Sequence, residues 1–191
     1  MKRFLGFGIA FLALVSAVLP ARAQDRATKL DLAVIFAADR SLKANTSENV
    51  WLNGGSVELG ANVWKGLGIA ADVTAAHGSS VGNSGVPLSL ETATFGPRYR
   101  WHARQKWSIY GQALLGEANA FHTLVPTPNG TQTGANSSAL QIGGGLDYKL
   151  KQCIALRLLD AAWLRTQVPN ATNNVQNTLR LGAGLVIRFG H

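Results

Sequence analysis

From about residue 28 to residue 189 the chain alternates apolar residues with small or polar ones in eight stretches. Long polar segments and very short ones separate them in turn. Alternation with period 2 is the side-chain rhythm of a β-strand, because successive residues point to opposite faces of the sheet. In the first stretch Leu30, Leu32, Val34 and Phe36 share one face and Asp31, Ala33, Ile35 and Ala37 the other. The last stretch alternates most cleanly, with Leu179, Leu181, Ala183, Leu185, Ile187 and Phe189 opposing Thr178, Arg180, Gly182, Gly184 and Arg188. The expected strands run over about 28–38, 51–64, 67–76, 88–102, 107–122, 137–150, 153–166 and 175–189. Strand five is the least clear, because both of its faces are largely apolar. In strand seven the parity shifts at Leu159-Asp160, and a β-bulge there would let both Arg157 and Asp160 point the same way.

The segment before these strands reads as an export signal. Lys2 and Arg3 precede an apolar run from Phe4 to Leu19, and Ala21-Arg22-Ala23 fits the small-x-small cleavage rule, so the mature chain is expected to begin near Gln24. The run is too short, and too broken by Gly6, Gly8 and Pro20, for a spanning helix. No later stretch is long and apolar enough for one, so any span has to be made of strands. Residues 24–191 suit one domain. They carry 15 basic and 10 acidic residues, the bases scattered rather than gathered into the stripe a nucleic-acid binder needs. No nucleic-acid partner is expected. The lone Cys153 excludes an internal disulfide and reads as a small filler beside a turn.

Two readings compete for the faces: a membrane barrel with its apolar side outward, or a soluble carrier barrel with that side inward. Three features favour the first. Glycines crowd the polar face (Gly60, Gly96, Gly143, Gly145, Gly182, Gly184), as suits the narrow lumen of an eight-stranded barrel. Aromatics gather at strand ends: Trp64, Trp101, Trp107, Tyr148 and Phe189 lie near the short connections, and Phe36, Trp51, Phe121 and Trp163 near the long ones. Two such belts mark the two interfaces of a membrane. Charges within strands also keep largely to one face. The expected fold is therefore an all-β, eight-stranded antiparallel up-and-down transmembrane β-barrel of the bacterial outer membrane. Short periplasmic turns would follow strands two, four and six, and long extracellular loops strands one, three, five and seven.

In that fold the inward acids are Asp31, Glu58, Asp72, Asp147 and Asp160, and the inward bases Arg98, Arg100, Lys149, Arg157, Arg180 and Arg188. Buried charges must be paired, so a lumen charge network is expected. Closure of strand one on strand eight would set Asp31 beside Arg188, and Asp160 would meet Arg180. The expected role is structural or surface interaction, with the lumen plugged. A narrow small-solute channel is the alternative; less favoured are a lipid-modifying enzyme and a soluble lipocalin-like carrier.

No catalytic residue, cofactor or metal site is expected. His77 with Ser79 and Ser80, His122, and Ser137 with Ser138 lie near the outer rim, with Glu91 or Glu117 as conceivable carboxylates, but no spacing forces a triad. Four scattered histidines and one cysteine make no ligand cluster. Gly143-Gly144-Gly145 lies within a strand and so is no phosphate loop. The Asn-x-Ser/Thr triplets at Asn45, Asn129, Asn136 and Asn170 read as hydrophilic loop composition. The expected partners are outer-membrane lipid and the barrel assembly machinery, and the protein is expected to be a monomer.

The segments Phe95-Gly96-Pro97-Arg98-Tyr99, Gly143-Gly144-Gly145-Leu146-Asp147, Ala155-Leu156-Arg157, Gln176-Asn177-Thr178-Leu179-Arg180-Leu181 and Ile187-Arg188-Phe189-Gly190 resemble the outer membrane protein β-barrel domain family. That family is similar to the eight-stranded transmembrane part of outer membrane protein A. The resemblance implies a barrel across essentially the whole mature chain and no particular reaction. Against the family pattern, no appended peptidoglycan-binding domain is expected here, and Gly190-His191 follows the aromatic Phe189.

Overall fold

The computed structural model describes residues 29–42, 51–79, 87–101, 105–127, 130–169 and 174–190. The export signal, Ser80 and the triplets at Asn45, Asn129 and Asn170 lie outside them. The strands are β1 (Lys29–Ser41), β2 (Trp51–Trp64), β3 (Leu67–Gly78), β4 (Leu88–Trp101), β5 (Trp107–Thr127), β6 (Gly130–Lys149), β7 (Ile154–Thr166) and β8 (Gln176–Phe189). Each pairs antiparallel with the next, and β8 returns to β1 to close an eight-stranded barrel. Closure removes every sheet edge within the common height of the wall, which is how an all-strand structure satisfies its backbone in hydrocarbon.

Burial is the reverse of that in a water-soluble domain. Phe36 is 67% exposed, Leu115 62% and Leu185 52%, while Arg98, Arg157 and Arg180 are almost wholly enclosed. Leu181, Leu185 and Ile187 face outward and Arg180 inward. Such a surface suits hydrocarbon rather than water. The β2–β3 connection explains one tight end. Lys65 and Gly66 have φ of 44° and 92°, the paired positive values of a two-residue type I′ turn, whose twist matches that of the flanking strands.

The bulge in β7 is present. Arg157 faces Gly184 and Asp160 faces Gly182, so three steps on β7 match two on β8. Leu158 and Leu159 are both exposed while Arg157 and Asp160 are both buried. Three expectations need correction. β1 continues through Asp39 to Ser41, because Asp39 and Arg40 still pair with Arg180 and Leu179. β5 and β6 run on past the other strands, pairing Val125 with Gln132 and Thr127 with Gly130, where a loop was expected from 123 to 136. Cys153 is exposed at the turn before β7 and fills no space.

Candidate functional site: the charged lumen

The inward positions of eight strands converge on one axis, and there the carboxylates and guanidiniums meet. Near the short-turn end, Arg100 lies 2.8 Å from Asp31 and 2.6 Å from Asp147. Arg188 joins the same two acids, at 3.6 Å and 3.1 Å, and donates to Ser108. Asp31 and Arg188 are direct cross-strand partners in the β1–β8 seam.

At mid-height Arg157 is completely enclosed and bridges three acids from three directions: Glu58 at 2.6 Å, Asp147 at 3.0 Å and Asp160 at 3.2 Å. Arg98 pairs with Glu58 and donates to Gln112, whose amide in turn donates to Glu58 at 2.8 Å. Tyr110 crosses the lumen between these groups. Its ring centroid lies 4.3 Å from the Arg157 guanidinium and 4.6 Å from that of Arg98, and its hydroxyl donates to Asp160. Cations within about 6 Å of an aromatic centroid are attracted by the ring, the more so when desolvated. Two glycines make room for it. A β-carbon at Gly145 would stand 2.7 Å from the Tyr110 ring, and one at Gly60 would collide with the Arg98 guanidinium.

Nearer the long-loop end, Arg180 donates to Asp39 at 3.0 Å, to Asp72 at 3.2 Å and to Thr74 and Gln141 at 2.8 and 3.2 Å. Asp72 also accepts from Ser56 and Thr74, each at 2.8 Å. Beside this tier an apolar cluster of inward side chains, including Leu52, Leu90, Ala118 and Leu164, fills the barrel.

Ten of the eleven residues named from sequence therefore meet in ion pairs, and the exception is Lys149. It lies half-buried at the short-turn mouth and joins none of the ion pairs among the described residues. The expected Asp160–Arg180 pair does not form. The β7 bulge sets Asp160 opposite Gly182, and Arg180, opposite Ala162 and Asp39, turns to Asp39 and Asp72. Sequence reading missed Asp39, Tyr110 and Gln112. Parity counted along β5 from Ser108 would have placed Tyr110 and Gln112 inside. With Asp39, six enclosed carboxylates face five arginines.

The rim candidates for catalysis do not assemble in the same way. His77 Nδ1 lies 2.9 Å from Ser89 Oγ on the neighbouring strand, and among the described residues no carboxylate is recorded bonded to that histidine. No group of three or more His, Cys, Asp or Glu residues among them is arranged to hold a metal ion.

No family model and no curated protein matches this sequence. Solved structures do match in shape. The crystal structure of Neisserial surface protein A superposes with a TM-score of 0.59 at 16% identity, covering 85% of this chain and 97% of that one. The attachment invasion locus protein of Yersinia pestis gives 0.52 at 18% identity, covering 85% and 99%. Outer membrane protein OprG of Pseudomonas aeruginosa gives 0.51 at 11% identity, covering 87% and 98%. This chain has the closed eight-stranded fold of the solved bacterial outer membrane β-barrels.

Proposed function

We propose that the protein is a monomeric barrel of the bacterial outer membrane with a closed lumen, serving a structural or surface-interaction role through its outer loops. The observation that carries this reading is the enclosure of Arg157 between Glu58, Asp147, Asp160 and the Tyr110 ring. A solute would have to break apart an interlocked network of buried charges, at a cost of several kcal/mol per ion left unpaired. Eight strands leave a lumen that side chains fill. The outward apolar band and the aromatic belts support insertion in a bilayer, and the orientation follows from the rule that outer membrane barrels keep short turns in the periplasm. The segments at the opposite end are rich in Asn, Thr, Ser and Gly, a composition suited to hydrated contact surfaces. Assembly would run through the barrel assembly machinery, and the lasting partner would be outer-membrane lipid.

Two measurements test this. Envelope fractionation should place the protein in the outer membrane, with a compact fast-migrating form in unboiled gels. Planar bilayers should show no sustained conductance. Steady unitary currents would favour the small-solute channel, and a protein soluble without detergent would favour the carrier. Lipid turnover abolished by His77→Ala would favour the enzyme.

A further inference from the structure

The net positive charge of residues 24–191 has an address. Inside the barrel, five arginines face six carboxylates. Toward the long-loop end Arg40 and Arg165 are offset by Glu91 and Glu117, and the segment joining β1 to β2 adds one Lys43 and one Glu48. The excess lies at the opposite end. Lys65, Lys106, Lys149 and Lys151 stand in or beside the three short turns, Arg104 belongs to the same connections in sequence, and those turns contain no acidic residue.

These cations sit against the aromatic belt rather than beyond it. The Lys65 ammonium lies 4.9 Å from the centroid of the Trp64 ring. Lys106 and Lys149 are joined by a 2.8 Å backbone hydrogen bond, and beside them the Trp107 and Tyr148 rings meet at a tilt, their centroids 4.7 Å apart. Tyr99 and Trp101 meet at 4.4 Å on the next strand. Indole and phenol rings settle at headgroup depth. Lysines one or two residues away are held in that same layer by turns too tight to reach further.

We infer that the short-turn rim is a lysine collar that binds anionic phospholipid headgroups of the periplasmic leaflet, with the Lys106–Lys149–Lys151 cluster around Trp107 and Tyr148 as its strongest point. The occupant is a lipid because the collar lies in the plane of the headgroups and its charge is spread around the circumference. Each phosphodiester would meet an ammonium and rest its glycerol against an aromatic ring, an attraction of about fivefold per lysine near an anionic surface. The inference rests on the orientation proposed above.

The mature protein, refolded into phosphatidylcholine vesicles, is tested with brominated lipids that quench tryptophan. At equal mole fraction, brominated phosphatidylglycerol should quench more than brominated phosphatidylcholine, corresponding to a contact preference of about fivefold. Raising salt from about 0.1 M to about 1 M should erase most of it. The combined variant Lys65→Gln, Lys106→Gln, Lys149→Gln and Lys151→Gln should fall to parity, and Arg40→Gln with Arg165→Gln at the other rim should keep the preference. Equal quenching in the unsubstituted protein, or a preference that survives loss of the four lysines, would overturn the collar. Should the combined variant not fold, Lys106→Gln with Lys151→Gln is read in its place. Heat-modifiable gel mobility is scored separately: failure to insert at all counts against the membrane barrel, whereas an inserted barrel without the preference counts against the collar alone.

Discussion

Replacing Glu58 by Gln isolates the worth of one lumen carboxylate. Glu58 accepts from Arg98, from Arg157 at 2.6 Å and from Gln112 at 2.8 Å, with about 1% of its surface exposed. The substitution preserves shape and leaves five lumen arginines facing five carboxylates, so an effect reports local pairing and not overall imbalance. Arg157 keeps Asp147 and Asp160. Arg98 keeps the Tyr110 ring and Gln112, whose amide then faces another amide, but loses its one carboxylate partner. Breaking a buried pair on one side costs about 3–5 kcal/mol; the partners left to Arg157 put the expected loss near the lower end, about 3 kcal/mol. With a urea dependence of about 2 kcal/mol per molar, the unfolding midpoint should fall by about 1.5 M. Tryptophan fluorescence and the unboiled gel band, followed through a urea titration of the vesicle-inserted protein, give that midpoint. Much of the cost is the stranded guanidinium, so adding Arg98→Met should recover at least about 1 kcal/mol. A single-variant shift under about 0.3 M, or strict additivity in the double variant, would refute the reasoning.

Tyr110→Phe keeps the ring between Arg98 and Arg157 but removes the donor to Asp160; the loss should be about 1–3 kcal/mol by the same titration. Gly145→Val drives a side chain into the Tyr110 ring, whose atoms lie 2.7 Å from the β-carbon position, and should sharply lower the folded band in unboiled gels. Leu115→Arg places a cation on the outer apolar wall, where Leu115 is 62% exposed, and should cost about 2–4 kcal/mol near the bilayer midplane. Lys149→Gln, at a half-buried position outside the ion-pair network, should stay within about 0.5 kcal/mol of the parent.

Much of this architecture was legible from residue order alone, for reasons that also mark where legibility stops. Alternation fixes which residues share a face, so the inward placing of Glu58, Arg98 and Arg157 and the outward placing of Leu185 follow from counting. The shift at Leu159-Asp160 signals a bulge because it reverses the count. Composition misleads where pairing overrides it. The Thr, Gly and Asn residues of 130–136 read as loop, yet they are strand because β5 lies alongside them. Asp39 reads as the start of a loop, yet β8 extends β1 to include it. In β5, Tyr110 and Leu114 point in while Ile109 and Leu115 point out; four hydrophobic residues give no contrast for parity to read. Contacts across the lumen, such as Arg157 on β7 with Glu58 on β2, depend on its width and on side-chain reach, neither of which is written in local sequence.

The β1–β8 seam shows what buried charge does that grease does not. Every other pair of neighbouring strands is adjacent in the chain, and a connection of only a few residues holds the register of four of those pairs, β5–β6 among them. The seam joins the two ends of the barrel and has no connection to set it. Its inner face between the ends is Ala33 against Val186, Ile35 against Gly184 and Ala37 against Gly182. None of these residues is polar, so no side-chain charge or hydrogen bond among them opposes a slip of two, which preserves every side chain's facing. At its two ends Asp31 meets Arg188 and Asp39 meets Arg180, the acids and the bases spaced equally along their strands. A slip of two would separate both pairs together and part Asp39 from Arg180, its one ion-pair partner among the described residues, in a dry interior. Breaking such pairs is far more costly than forming them is favourable. The charges at the seam therefore act mainly on register: they add little to the closed barrel and penalise its nearest mispaired neighbour heavily.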